Sequence, residues 1–381
     1  MNPLEKSDKK RILFISVEGV GNTILALPVF LAYQARGMQI DVVVSDNGSQ
    51  EVTSYFQAAD RIFLWHEKKS WLQNLLRLAS SFRRFSYDSA YAVCPAGRRG
   101  NALLRLACAK EKKGWRSSKS MRLLSFRDKE MPFWDEKDHD LVSNQKLTGL
   151  LDEEVQKAIL ALKEKVNLGA DVCRGEGGKL KIGIHATSHC RSKCWAPENF
   201  QGLIRRFGES FSLEISIFGA CSEREEIKKI SDMLPVQAQQ KIGLPWSEVI
   251  EELKQVNLFI GVDSALCHLA AIIGIPTCIL YAYTVPERTA ALGDHVMIIQ
   301  SNYSCCPCYQ FVTGFPDDCP YHLKCIQDIA VTDVFSLLKI FLTGLRDRNF
   351  KRVYDNFSFP YPTRQLPFGA CVVSVPGQGV S

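Results

Sequence analysis

No unbroken stretch of this 381-residue sequence is apolar for long enough to span a bilayer. The early run ILFISV stops at Glu18, too short for the apolar core of a secretion signal. The apolar stretch from Ser264 to Val285 is split by Gly274 and Pro276, so it reads as a helix followed by a strand. A strong charge is missing too: 47 Lys and Arg against 41 Asp and Glu leave +6, which says little about partners. With 46% hydrophobic and 23% charged residues the chain is outside the disordered class. Fourteen cysteines are spread along it without an export signal, so reduced thiols in a cytoplasm are expected rather than a disulfide framework. No recognised nucleic-acid motif accompanies the basic residues, and nucleic acid is not an expected partner.

What is present is enough apolar sequence for two cores. Strand-like runs alternate with helical patterns in both halves. Ile12 to Val17 is followed by a helix from Thr23 to Ala35, then strands at Gln39 to Val44 and Tyr87 to Cys94, and a helix near Asn101 to Ala109. In the second half, Leu180 to His185, Leu213 to Phe218, Leu258 to Val262 and Thr277 to Tyr281 read as strands. Helices at Pro197 to Phe207, Ser222 to Met233, Trp246 to Gln255 and Ala265 to Ile273 alternate with them. Such alternation predicts an α/β protein with parallel sheets. The Gly-rich, charged stretch from Asp171 to Lys179 has linker chemistry. The tail after about Asp347 has no clear period, and either disorder or a strap over the first domain is consistent with it.

Two segments carry chemistry. In LFIGVDSALCHLAA a buried strand ends at Asp263, and Ser264 caps a helix whose free N–H groups suit a diphosphate. Ser264 and His268, four apart, face the same way. The plainer alternative is two capping residues and a satisfied core histidine. In KIGIHATSHCRSKCWAPENF, Thr187, Ser188, Arg191 and Lys193 follow a strand, where hydroxyls and cations bind phosphate oxygens; an ordinary polar loop is the alternative.

Together these segments resemble glycosyltransferase family 9, the lipopolysaccharide heptosyltransferases. The likeness rests on Gly21 and Pro28 after the first strand and HATS…K-x-W-x-P-E-x-F from His185 to Phe200. It continues with Phe218-Gly219 followed by glutamates, V-D-S-x-x-x-H-L-A-A from Val262, the Tyr281 to Pro286 stretch and Cys306-Pro307-Cys308. The resemblance covers roughly residues 11–340. It implies a GT-B type fold, two Rossmann-like domains facing across a cleft. Residues 1–172 would bind the acceptor, 180–345 the nucleotide sugar, and 346–381 would form a C-terminal tail. It places the donor diphosphate on Thr187, Ser188, Lys193 and the helix after Asp263, with Ser264, Ala265 and His268 beside it. Ala265 stands where the family has Gly. Glu223 is the ribose-facing acid, with Glu225 and Glu226 as alternatives. Inversion without a metal is implied, so protein cations and helix dipoles stabilise the leaving diphosphate, and no cofactor is expected. The implied function is transfer of a heptose or similar sugar from an ADP-sugar to an acidic, lipopolysaccharide-core-type glycolipid. Another nucleotide sugar serving a surface polysaccharide, and a catalytically weak binding homologue, are the alternatives.

The acceptor side is expected on the first domain. From Gly97 to Lys129 eleven Lys and Arg, among them Arg98 and Arg99, face only Glu111 and Asp128. That excess suits an acidic acceptor or an anionic membrane surface. The amphipathic stretch from Trp71 to Phe85 suits a bilayer or, more plainly, packing on its own sheet. A peripheral contact on the cytoplasmic face of the inner membrane is therefore a further expectation. The family has Gly-Asp where this chain has Gly21-Asn22, and that aspartate is the expected base. Asn22 cannot take a proton, although it can orient a hydroxyl. Glu18 is the nearest substitute, with a solvent-facing Glu18 and a slow or inactive protein as the alternative. Cys305, Cys306, Cys308, Cys319, Cys325 and His322 have spacing that zinc accepts, but packed thiols are the preferred reading.

Overall fold

The computed structural model describes residues 9–66, 69–93, 97–115, 137–166, 168, 179–308, 319–346 and 359–376. The chain divides into two units, Met1–Lys165 and Val166–Ser381. The linker expected at 171–179 lies outside the described residues up to 178.

The first unit runs β1 (Arg11–Ser16), α1 (Val20–Ala35), β2 (Gln39–Val44), α2 (Asn47–Tyr55), β3 (Arg61–Leu64), α3 (Trp71–Phe82), β4 (Tyr87–Ala92), α4 (Arg98–Leu106) and β5 (Ala109–Lys113). Two helices follow, α5 (Asp140–Thr148) and α6 (Asp152–Val166). The sheet order is β3-β2-β1-β4-β5, every pair parallel. β1 is buried along nearly its whole length because helices cover both faces, which is why it reads as a continuous apolar run. On one face Leu75, Leu78 and Phe82 of α3 and Leu103 and Leu104 of α4 pack over Leu13 and Ile15. On α1, Phe30 and Tyr33 meet Phe14 with ring centroids 5.0 and 5.3 Å apart. The Tyr33 hydroxyl donates to the Thr148 carbonyl at 2.8 Å, tying α1 to α5. The order reverses between β1 and β4, and in open parallel sheets ligands sit at the strands' carboxyl ends at such a point.

The second unit runs β6 (Lys179–His185), α7 (Pro197–Gly208), β7 (Ser212–Gly219), α8 (Arg224–Met233), β8 (Ala238–Ile242), α9 (Trp246–Leu253), β9 (Leu258–Val262) and α10 (Ala265–Ile272). It continues with β10 (Thr277–Tyr281), α11 (Pro286–Thr289), β11 (Val296–Ser301), α12 (Lys324–Gln327), α13 (Val331–Arg346), β12 (Thr363–Gln365) and β13 (Ala370–Val375). The sheet order is β12-β13-β11-β10-β9-β6-β7-β8, parallel except where β12 meets β13. Its reversal lies between β6 and β9, whose registered pairs end at His185 and Gly261.

Two expectations change here. Residues 363–375 are neither a disordered tail nor a strap on the first unit; β13 enters the second unit's sheet beside β11. ACVVSV is buried between neighbours on both edges and on both faces, so it has no alternation to read. The helix expected near Asn101 to Ala109 ends at Leu106, and Ala109–Lys113 is an edge strand. AKEKK hides its strand character because edge strands carry charge to discourage further pairing.

Candidate functional site

In the second unit the reversal point gathers most of the singled-out residues. Asp263 follows β9, and Ser264, in extended backbone, caps α10 with its hydroxyl toward the Cys267 N–H at 3.5 Å. Helix α10 is buried from Leu266 to Ile272, so of its first turn only Ser264 and Ala265 are partly open to solvent. The loop after β6 turns through a 3-10 turn at Arg191–Lys193 and brings the Lys193 ammonium to 2.8 Å from Asp263 Oδ2. Thr284 Oγ1 donates to the same oxygen at 2.7 Å, and His268 Nε2 lies 3.5 Å from Oδ1. Burial alone would favour a neutral Asp263, but Lys193 and His268 hold its carboxyl well below the usual carboxylate range. The buried His268 Nδ1 has no hydrogen-bond partner among the described residues.

A second chain of contacts runs through His185, the last residue of β6. Its Nδ1 is 2.9 Å from Ser264 Oγ, and its Nε2 is 3.5 Å from Thr187 Oγ1 and 3.6 Å from Glu223 Oε2. Glu223 also accepts the Ala220 N–H at 2.7 Å. Burial raises its pKa, but His185, the Ala220 amide and Thr187 outweigh it and bring the carboxyl down to about 2. Glu225 and Glu226 lie exposed on α8. Sequence reasoning did not assign His185 or Thr284. A histidine at a strand's carboxyl end, two residues before Thr187, was the available signal for the first; for Thr284 there was none, because its contact with Asp263 is long-range.

Beside this cluster is a cavity of about 510 Å³ lined by Thr187, Ser188, Arg191, Trp195, Glu226 and Lys229 among others. It shares Thr187 with the cluster, while Ser188, whose hydroxyl accepts the Cys190 N–H at 3.2 Å, belongs to the cavity wall; the cavity does not reach Lys193, Asp263 or His268, so it adjoins the site rather than forming it.

In the first unit the reversal point brings together Glu18, Asn22 and Arg99. Gly19 adopts φ +106°, a conformation that side chains resist, and this turns the chain from β1 into α1. Asn22 Nδ2 donates to the Glu18 carbonyl at 2.8 Å, so the amide braces the turn. The Glu18 carboxylate lies so close to Gly97 at the start of α4 that a Cβ there would collide with it. Arg99 is 3.7 Å from Glu18 Oε2. Burial raises the Glu18 pKa, opposed by Arg99 and by the Gly97 N–H. Arg98 is exposed on the same first turn.

Part of the basic run is engaged by neighbouring groups on the surface of β5. Lys110 pairs with Asp88 at 2.7 Å and Lys113 with Glu111 at 2.9 Å on β5, and Lys112 donates to the Arg105 carbonyl at 2.9 Å. Arg116, Lys119, Arg122, Arg127 and Lys129 lie outside the described residues. Cys305, Cys306, Cys308, Cys319 and Cys325 are free thiols, and among the described residues no three His, Cys, Asp or Glu side chains form a group able to hold a metal. The buried Cys325 thiol is pushed well up by its contact with Cys306 and by burial. No helix of the described residues is long and apolar enough to cross a membrane.

Comparison with known proteins bears on the family and the fold. The profile of glycosyltransferase family 9 (heptosyltransferase) matches residues 75–316. Lipopolysaccharide heptosyltransferase 1 of Pseudomonas aeruginosa is 27% identical over 133 residues, 35% of this chain and 37% of that protein, so the match spans just over a third of the curated relative. Among solved structures, a family 9 glycosyl transferase from Veillonella parvula has a TM-score of 0.65 at 17% identity, covering 88% of this chain and 98% of its own. ADP-heptose lps heptosyltransferase II of E. coli has a TM-score of 0.62 at 17% identity, covering 87% and 98%. E. coli heptosyltransferase WaaC, solved with ADP, has 0.59 at 18%, covering 76% and 92%. At those identities the structures speak for the fold, two parallel α/β sheets as in GT-B type heptosyltransferases, while the profile covers well over half of the sequence. The chain belongs to glycosyltransferase family 9, the heptosyltransferase family.

Proposed function

We propose that this chain transfers a heptose or similar sugar, with inversion and without a metal, from an ADP-sugar to a lipopolysaccharide-core-type acceptor. The observation that carries the reading is the joined network Lys193–Asp263–His268 and Ser264–His185–Glu223 at the reversal point of the second sheet. Lys193 and the N–H groups opening α10 supply positive charge where a diphosphate leaves, with Thr187, Ser188 and Ala265 at its edges. Glu223, ionised at neutral pH, accepts ribose hydroxyls. Solved relatives include WaaC with ADP and with ADP-2-deoxy-2-fluoro heptose, which supports an adenine donor. In the first unit Glu18 takes the proton of the acceptor hydroxyl as its oxygen bonds to the anomeric carbon and the bond to the diphosphate breaks. A carboxylate with a raised pKa suits that task better than Asn22, whose amide is engaged on the Glu18 carbonyl. Arg98 and Arg99 attract the acidic acceptor.

The test is a panel of ADP-, UDP- and GDP-sugars assayed for thermal stabilisation and then for turnover with a lipopolysaccharide-core acceptor. Selective stabilisation by ADP-sugars with transfer supports the reading. Preference for another nucleotide points to a different surface polysaccharide. Donor binding without transfer by wild type or by Asn22→Asp favours a binding homologue, the reading that the loss of the family's aspartate motivates.

A further inference from the structure

Of the seven large hydrophobic side chains exposed among the described residues, three fall within six residues of α3: Trp71 at 51%, Leu72 at 58% and Leu76 at 64%. Helix α3 already has a core face, made by Leu75, Leu78 and Phe82. Leu72, Leu76 and the C-cap Arg83 form a second stripe at i, i+4 and i+11, turned away from it. Lys69 precedes the helix and Arg84 follows Arg83, all three cations exposed. From Lys69 through Tyr87 the sequence contains no carboxylate. An ordinary solvated helix of this protein is different: the exposed face of α8 mixes Glu225, Glu226, Lys228 and Asp232. Since α3 follows a parallel strand, its Trp71 end lies at the carboxyl edge of the first sheet, the edge that carries Glu18 and Arg99.

We infer that the outer face of α3 docks on an anionic phospholipid bilayer. Trp71, Leu72 and Leu76 enter the headgroup–acyl boundary while Lys69, Arg83 and Arg84 meet lipid phosphates. An aromatic at the end of an apolar stripe, with cations and no acids in its own segment, matches the chemistry of such an interface. A second copy of the chain is the less fitting occupant, because the face is one-signed and would meet its own charge. The consequence for catalysis rests on the proposed reading: a docked α3 holds the acceptor-binding edge at the membrane, where a glycolipid presents its sugar.

The experiment needs neither donor nor acceptor, so its failure leaves the donor reading untouched. Flotation of the full chain with phosphatidylcholine vesicles, with and without phosphatidylglycerol, is compared for wild type, Leu72→Gln with Leu76→Gln, and Arg83→Glu with Arg84→Glu. Leu160→Gln, an equally exposed leucine on α6 at 54%, is the control. Wild type and control should bind the anionic vesicles and release at high salt, and each double variant should bind about tenfold more weakly or worse. Quenching of Trp fluorescence by brominated phosphatidylcholine should fall in Trp71→Phe, a check that does not depend on how well the double variants fold. Equal binding by all variants, no binding by wild type, or self-association that depends on Leu72 and Leu76 without vesicle binding overturns the proposal.

Discussion

Replacing Lys193 with alanine removes two things at once, and their sizes can be separated. The ammonium sits 2.8 Å from Asp263 Oδ2, with side-chain exposures of 15% and 7%. Losing one partner of a buried pair typically costs about 3–5 kcal/mol. Here His268 and Thr284 still face the carboxylate, so about 2–3 kcal/mol is expected, which lowers Tm by roughly 5–10 °C in a unit of this size. Asp263 has a depressed pKa in the fold, so its pairing stabilises the protein above the unfolded carboxylate value near about pH 4 and is lost as pH falls through the folded value. The stability gap between wild type and Lys193→Ala should therefore be widest at neutral pH and narrow toward acid. Donor affinity should fall about 10- to 100-fold, the scale of one charge-assisted phosphate contact. Adding Asp263→Asn removes the orphaned charge, so the double variant should recover most of the lost stability but none of the donor affinity. Thermal unfolding across pH and isothermal titration with ADP-sugar read the two effects apart. If Lys193→Ala loses stability yet binds donor as well as wild type, Lys193 is only the structural partner of Asp263 and the proposed diphosphate site is wrong.

Glu18→Gln should lower kcat about 10²-fold under saturating donor and abolish the acid limb of the pH–rate profile, a limb that burial of Glu18 shifts upward from the ordinary glutamate position. A silent Glu18→Gln beside a strongly activated Asn22→Asp would remove Glu18 as the base. Gly97→Ala forces the Glu18 carboxylate aside, so kcat should drop while donor affinity stays constant; unchanged kinetics would mean that the carboxylate's position is irrelevant. Glu223→Gln should weaken ADP-sugar binding about tenfold and inorganic pyrophosphate binding hardly at all, if the carboxylate faces the ribose. Charge reversal at Arg98 and Arg99 should raise the acceptor KM at low salt and much less at high salt. Identical effects at both ionic strengths would argue that this turn is merely solvated.

Local chemistry made much of this protein readable in advance. β1 and β9 are buried on both faces and read as apolar runs, and α7, α8 and α9 show one apolar stripe each. Asp263 and Ser264 declare a strand-to-helix turn by their own capping chemistry, so the α10 site was visible in a short segment. What lay beyond reach depends on who sits next to whom. β3, β5 and β8 are sheet edges whose exposed positions carry Arg61, Lys110, Lys112, Gln239 and Gln240, so their strand character comes from a neighbour's backbone rather than from their own pattern. β13 was illegible because an element 74 positions away in sequence, β11, registered from Val296 against Ala370 to Ser301 against Val375, supplies the pairing that orders it. The same holds in the site. That Lys193 neutralises Asp263 across 70 residues, that His185 links Ser264 to Glu223, and that Lys110, Lys113 and Lys112 of the basic run are bound to Asp88, Glu111 and the Arg105 carbonyl are outcomes of sheet order. Residue type sets what each side chain can do, but a carboxylate's pKa, a lysine's freedom and a glutamate's direction are set by desolvation and by charges that only the tertiary fold brings within reach.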